Sequence, residues 1–359
     1  MTVPSPPQRV VRCPICVDTF TWSTDTLYEW SDRGYVDLHI PSGADEAKRR
    51  DMIRAASVRC PNPSGDMQPH YLPVTVVSSG QPLVIGLVGA TKAGKSHLLA
   101  AMVHEIASQK LHDYGLQFFP VDLNQHRSYL DTYVRPFVAG GGRLEGTAEG
   151  RSTDYAYSML LQSRTGTRAV TFFDIAGGDL LRTGRAGRFL AGTGGLIFTV
   201  DPRTALGLGT VDDPSPEDDL SAGDDTFQAV LTRLRPDDAP YLEVPAAIVL
   251  TKADRLRFED PVESWMRARP AQKLSPRTIA AESRDVYAFL HSRSAAAWLS
   301  PFHSCRRCTL HFVSATGGES SDGRYQRTVR PNRVLEPLLS LFAMTGVIDG
   351  PDVAEVGRS

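Results

Sequence analysis

Gly89-Ala90-Thr91-Lys92-Ala93-Gly94-Lys95-Ser96 sets two glycines around a short polar stretch and follows the second with a lysine and a hydroxyl. The spacing, G-x-x-x-x-G-K-S, suits one chemistry, the cradling of phosphate. Gly89 and Gly94 let the backbone turn tightly and aim successive N–H groups inward. Lys95 adds an ammonium for the outer phosphates, and the Ser96 hydroxyl is a ligand for Mg2+. Contact with the nucleotide is expected from Gly89 through His97.

Such a loop works only between a strand and a helix. Leu83–Val88 is a short apolar run of buried-strand type, and Leu98, Leu99, Met102, Val103 and Ile106 recur at helical spacing. The helix start then adds partial positive charge beneath the phosphates.

Three further stretches come in order, each after an apolar run. Ala169–Phe173 leads into Asp174-Ile175-Ala176-Gly177-Gly178. An acid at the end of a strand beside a phosphate loop is placed to hold Mg2+ through water, and Gly177 can bring its N–H close to the γ-phosphate. A plain turn reads D-x-x-G equally well; the order of motifs favours the metal role. Ala246–Leu250 leads into Thr251-Lys252-Ala253-Asp254. The Asp254 carboxylate can accept from guanine N1 and the 2-amino group, donors that adenine lacks, so adenine would leave a buried acceptor unpaired. Lys252 would lie along the base. Leu310–Val313 leads into Ser314-Ala315-Thr316, whose backbone can offer an N–H to guanine O6.

The five cysteines include two C-x-x-C pairs, Cys13–Cys16 and Cys305–Cys308. Pairs of this kind point to a metal in a reducing compartment rather than to disulfides. For Zn2+, the expected set is Cys13, Cys16, Cys60 and His70. A second set joins Cys13 and Cys16 to Cys305 and Cys308, and a third reading has free buried thiols with His70 on the surface.

The 359 residues are 41% hydrophobic and 22% charged, which is globular composition with room for more than one domain. A net charge of −2 gives no reason to expect nucleic-acid or membrane affinity. No apolar run is long enough to span a bilayer and no leader pattern follows Met1, so a cytoplasmic location is expected. Residues 1–12 read as a loose tail, 13–80 as a small metal module, 81–345 as the α/β domain and 346–359 as a second tail. Helices are expected over 124–138, 280–298 and 332–344. Tyr155, Tyr157, Met159 and Leu161 alternate as an edge strand would and form a hairpin with 169–173. The acidic run 212–225 reads as a solvated loop.

Four motifs in this order resemble the TRAFAC-class P-loop GTPases over about residues 81–345. With its zinc-ribbon-like module, the chain is also similar to bacterial conflict-associated GTPases, including the double-GTPase group. The resemblance implies a Ras-like, mostly parallel sheet flanked by helices. It implies hydrolysis of Mg·GTP to GDP and phosphate as a switch in a prokaryotic multi-protein system, with protein effectors. It gives Thr147, with Thr153 second, the role of the switch threonine on Mg2+. The usual water-orienting glutamine is replaced by Gly178, with Asp179 a candidate in its place or a helix cap; Arg182, Arg185 and Arg188 after it are candidate cations of the kind Lys92 offers. Lys92 stands where guanylate-binding proteins carry a catalytic arginine, so Lys95, Lys92, Thr147 and Gly177 form the expected catalytic group. A GTP-gated scaffold and a P-loop ATPase are the alternatives.

Overall fold

The computed structural model describes residues 9–16, 18–32, 34–65, 68–145, 157–174, 190, 192–208, 223–235, 239–268, 273–350 and 352–358. Its amino-terminal part is built from short strands: β1 (Arg9–Arg12), β2 (Thr19–Trp22), β3 (Tyr28–Ser31), β4 (Gly34–Asp37), β5 (Ser57–Arg59) and β6 (Tyr71–Pro73). β1 pairs antiparallel with β2, and β4-β3-β5-β6 make a second antiparallel sheet. Part of the expected tail is thus a strand: Val11 faces inward opposite Phe20 and is buried, while Val10 is exposed. The helix Glu46–Ala55 is capped by the Asp45 carboxylate, which accepts from Lys48 N at 2.7 Å, and it buries none of its residues. A core this small, of Val11, Phe20, Leu27, Val58, Leu72 and Val77 packed with three cysteines, is short of apolar area for its length.

The larger part is organised on seven strands: β7 (Leu83–Val88), β8 (Gln117–Pro120), β9 (Tyr157–Ser163), β10 (Gly166–Asp174), β11 (Gly195–Val200), β12 (Ala246–Leu250) and β13 (Cys308–Phe312). Their order is β13-β12-β11-β7-β10-β9-β8. The five strands from β13 to β10 run parallel, and β9 is antiparallel to both its neighbours. Every residue of β7, β11, β12 and β13 is buried, as strands covered on both faces must be. Alternation along β7 separates the two faces. Leu83, Ile85 and Leu87 pack with helices Lys95–Ala107 and Glu336–Met344. Val84 and Val88 pack on the other side, with Asp225–Leu234 and Pro276–Ser292. A short hairpin, β14 (Ser320–Ser321) and β15 (Arg324–Tyr325), projects after β13.

Several elements differ from the sequence expectations. The hairpin of β9 with β10 forms, but β9 is internal, because β8 pairs along its other side, and both its faces are covered: Leu160 packs with Val76 and Ala169, Leu161 with the main core. The stretch 124–138 winds as an α-helix over Leu123–Tyr129 and then as a π-helix over Leu130–Ala139, around Pro136, which lacks the N–H a regular turn would use. The helix expected at 280–298 starts earlier, at Pro276 behind a Ser275 cap, and ends at Ser292. The final helix starts at Glu336 rather than 332, since Arg333 holds a left-handed φ of 58°. The residues after 345 pack back: Val347, Ile348 and Val356 are buried, and the Arg307 guanidinium donates to Met344 O at 2.9 Å and Val356 O at 2.7 Å. Among the described residues no helix is long and apolar enough to cross a membrane.

Candidate functional site

The loop 89–96 joins β7 to the helix Lys95–Ala107, as the strand–helix pattern requires. Gly89 holds φ 151°, and a Cβ there would sit 2.3 Å from Thr199 Oγ1 and 2.8 Å from Thr199 O on the neighbouring strand. Only glycine fits that approach. Gly94 is left-handed at φ 94° and Lys92 at φ 68°. The buried Lys95 ammonium folds over its own loop and donates to Gly89 O at 2.7 Å and Ala90 O at 3.0 Å. Burial lowers its pKa, and the nearby Asp174 and Asp224 carboxylates oppose that shift.

Residues 251–254 are stitched to this loop. Thr251 Oγ1 donates to Ala93 O and Val200 O, and Lys252 Nζ donates to Lys92 O at 2.9 Å while pairing with Asp201. Asp254, buried, accepts from the Ser314 hydroxyl, and Ser314 Oγ in turn accepts from Gly317 N at 2.9 Å. The loop 89–96, Thr251-Lys252-Ala253-Asp254 and Ser314-Ala315-Thr316 therefore meet. Thr91, Lys92, Lys95, Ser96, Asp254 and Thr316 share one cavity of about 460 Å3. Its inner end carries an ammonium and a helix N-terminus, its outer end a buried carboxylate. The pattern suits a long polar ligand with an anionic tail and a donor-bearing head.

A buried ion cluster holds the outer end in register. Glu282, on the helix Pro276–Ser292, accepts from Phe312 N at 3.0 Å on β13, lies 2.9 Å from His311 Nδ1 and pairs with Arg333 at 2.7 Å. Each of its oxygens is engaged at 1% exposure, so the carboxylate remains charged: burial raises its pKa, but His311 and Arg333 pull it below its ordinary value. Ser314 and Asn332 then exchange backbone hydrogen bonds at 3.1 and 2.8 Å.

At the inner end, Ser96 Oγ donates to Asp174 Oδ2 at 2.6 Å, so the hydroxyl and the acid predicted from separate motifs touch. Thr147, Thr153, Ile175, Ala176, Gly177, Gly178, Asp179, Arg182, Arg185 and Arg188 lie outside the described residues.

Other residues at the site gave no sequence signal. The acidic run 212–225 read as a solvated loop includes Asp224, which is buried: its Oδ2 accepts Ala90 N at 2.9 Å while Oδ1 caps the helix Asp225–Leu234 through Thr226 N at 2.8 Å. Asp201, which reads merely as the end of β11, positions Lys252. Arg143, Leu144, Glu145 and Tyr325 line the cavity from two distant parts of the chain, joined by backbone bonds from Arg143 N to Gly323 O and Tyr325 N to Gly141 O, both 2.8 Å. His97, the last of the expected contacts, also reaches the cavity, where its Nε2 accepts Leu144 N at 3.1 Å. Burial, Arg143 and Lys252 push its pKa down to about 4.

The second cluster lies in the amino-terminal part. The ligand atoms of Cys13, Cys16, Cys60 and His70 lie within 4.8 Å of one another. Cys16 Sγ to Cys60 Sγ is 3.6 Å and Cys13 Sγ to His70 Nε2 is 3.2 Å. Ligands about 2.0–2.3 Å from a tetrahedral zinc ion would be separated by close to these distances. His70 Nδ1 lies 2.9 Å from the Gln68 carbonyl, which can only accept, so the proton sits on Nδ1 and Nε2 is free to ligate. Hydrogen bonding from Cys13 pulls the Cys60 thiol down to about 4, while Cys60 and burial push the Cys13 thiol up and burial pushes Cys16 up to about 11, so without a metal Cys60 is the thiolate of the set. These four residues could hold a metal such as zinc. Cys305 and Cys308, the alternative pair, are buried in the other core, just before and at the first residue of β13, and take no part.

No protein-family model matches the chain, and no curated protein matches its sequence.

Proposed function

We propose that the chain is a Mg2+-dependent GTPase that acts as a nucleotide switch, with an amino-terminal module held together by zinc. The observation that carries this reading is the single cavity lined at once by Lys95, Ser96, Asp254 and Ala315, residues drawn from three separate motifs. The amides of 91–96 and the Lys95 ammonium bind the β- and γ-phosphates, so Lys95 exchanges its two carbonyl partners for phosphate oxygens. Ser96 and Asp174 would hold Mg2+, which supplies charge neutralisation between the β- and γ-phosphates. Asp254 reads guanine N1 and the 2-amino group, giving up its bond to Ser314 or sharing it. In-line attack by water on the γ-phosphorus breaks the bond to the bridging oxygen and yields GDP and phosphate. Lys92, exposed beside the phosphate end of the cavity, adds a cation against charge on that bridging oxygen.

The test is nucleotide preference. Wild-type protein is expected to bind GTP far more tightly than ATP. Asp254→Asn should shift preference toward xanthosine triphosphate, since the new amide donates where the carboxylate accepted. Equal GTP and ATP affinity in wild type, or an unchanged preference in Asp254→Asn, refutes the assignment. Single-turnover hydrolysis separates an enzyme from a GTP-gated scaffold, and Lys92→Ala should slow that turnover more than it weakens GTP binding.

A further inference from the structure

Between the metal cluster and the sheet lies a second and larger cavity, about 1010 Å3, that the nucleotide reading does not use. One wall comes from the amino-terminal module and the other from the segment 121–133 and the start of β9. Both walls are built from aromatic rings. On the first, Tyr35 stacks on Tyr71 at 4.0 Å between centroids, and Trp30 meets Tyr35 edge-on at 5.0 Å. On the second, Tyr129 packs against both Tyr133 and Tyr157 at 4.9 Å. Trp30 is 72% exposed and Tyr133 44%, so both rings offer faces to an incoming ligand.

The chemistry between the rings narrows the occupant. Among the described residues the lining holds no Asp, Glu, Lys or Arg. Its polar groups are the carboxamides of Gln68, Asn124 and Gln125, the hydroxyls and the two imidazoles His70 and His126. A strand of nucleic acid would stack on the rings but find no cation for its phosphates among the described lining residues. An acidic peptide would lose hydration without gaining a partner there, and a basic one would meet only Asp122, close enough to act on Tyr35 but already accepting from Gln125 N at 2.7 Å. The volume also exceeds what most small ligands fill. A neutral ligand with flat apolar faces and many carbonyl acceptors meets all three conditions, and a polyproline II segment is such a ligand. Its rings pack on Tyr and Trp, its solvated carbonyls accept from phenol, indole and amide donors, and its stiffness keeps the ordering cost low.

We propose that this groove binds a proline-rich, uncharged segment of a partner protein. The site is independent of the nucleotide assignment. Its second wall nevertheless runs into β10 at Thr171, three residues before Asp174, so the occupant would sit about 10 Å of strand away from Asp174.

The test uses the full zinc-loaded chain and a blocked decaproline peptide, with a blocked glycine–serine decapeptide as control. Tryptophan emission should shift to the blue and saturate with decaproline, and the shift should vanish in Trp30→Phe. Trp30→Ala and Tyr133→Ala alter exposed rings, so zinc content and thermal midpoint should stay as in wild type while decaproline affinity, read by titration calorimetry, falls about tenfold or more, the usual scale for an aromatic anchor. The proposal is overturned if decaproline gives no saturable shift, if the glycine–serine peptide binds equally well, if both alanine variants keep wild-type affinity, or if a thymidine decanucleotide displaces the peptide. Because no GTP enters these assays, loss of GTP binding in a separate experiment would leave the result intact.

Discussion

The Thr251 hydroxyl sits 2.8 Å from the Ala93 carbonyl and 3.0 Å from that of Val200. One proton is shared between two acceptors, one in the loop 89–96 and one at the end of β11. This bond fixes the distance between the two ends of the first cavity.

Thr251→Ala removes that tie and leaves two buried carbonyls one donor short. A loss of about 1–2 kcal/mol is expected in chemical denaturation. On the proposed reading, GTP affinity falls with it. Thr251→Ser keeps the hydroxyl and should keep both properties; equal losses in the two variants would show that the methyl group matters and the hydrogen bond does not.

Gly89→Ala should destabilise the chain by about 1–3 kcal/mol, because the new methyl group meets both Oγ1 and the carbonyl oxygen of Thr199. Thr199→Ala relieves only the side-chain clash. The double variant should therefore recover part of the stability and no more, as read by thermal midpoints of the four proteins in the cycle.

Metal content should separate the cysteines. Cys60→Ala or His70→Ala is expected to lose bound zinc and lower the midpoint of unfolding, since a core of this size leans on its ion. Cys305→Ala and Cys308→Ala should keep one zinc per chain, as their thiols pack elsewhere. Mass spectrometry of the native protein reads both outcomes; zinc lost from the Cys305 or Cys308 variants would sink the assignment.

His97 links stability to pH. Its folded pKa lies near 4, below the ordinary value of 6.5, so between these values the unfolded chain binds more protons than the folded one. The contribution is whole above about pH 6.5 and is lost as pH falls through about 4. Protonation also places a hydrogen on Nε2, where the Leu144 N–H donates. In His97→Gln the amide oxygen can take over that bond without titrating. The drop in thermal midpoint between about pH 7 and pH 4.5 should be smaller in His97→Gln than in wild type; parallel curves would refute this.

How much of this was legible in the sequence follows the range of the interactions. Strand, glycine loop and helix at 83–107 are contiguous, so spacing alone locates them. Asp254 and Ser314 could be named because each follows a buried run, and parallel strands deliver their C-terminal ends to one edge. Cys60 and His70 are recoverable as the partners of Cys13 and Cys16 by ligand type, although nine residues lie between them. Asp224 looked like one more charge in an acidic run, and nothing local marks it as the residue that meets Ala90. Arg143 and Tyr325 come together through a bridge between Gly142 and Arg324, a pairing no periodicity reports. β9 alternates like an edge strand, and only its pairing with β8 places it inside the sheet.

Arg307 binds the carbonyls of Met344, Val353, Ala354 and Val356, and Cys308 N donates to Gly357 O at 2.8 Å at the first residue of β13. That strand leads directly to Ser314. The carboxy-terminal segment is therefore the footing of the wall that faces Asp254. A cleavage before Val353, or a bulky handle inserted there, would loosen that wall from behind without touching any residue that lines the cavity.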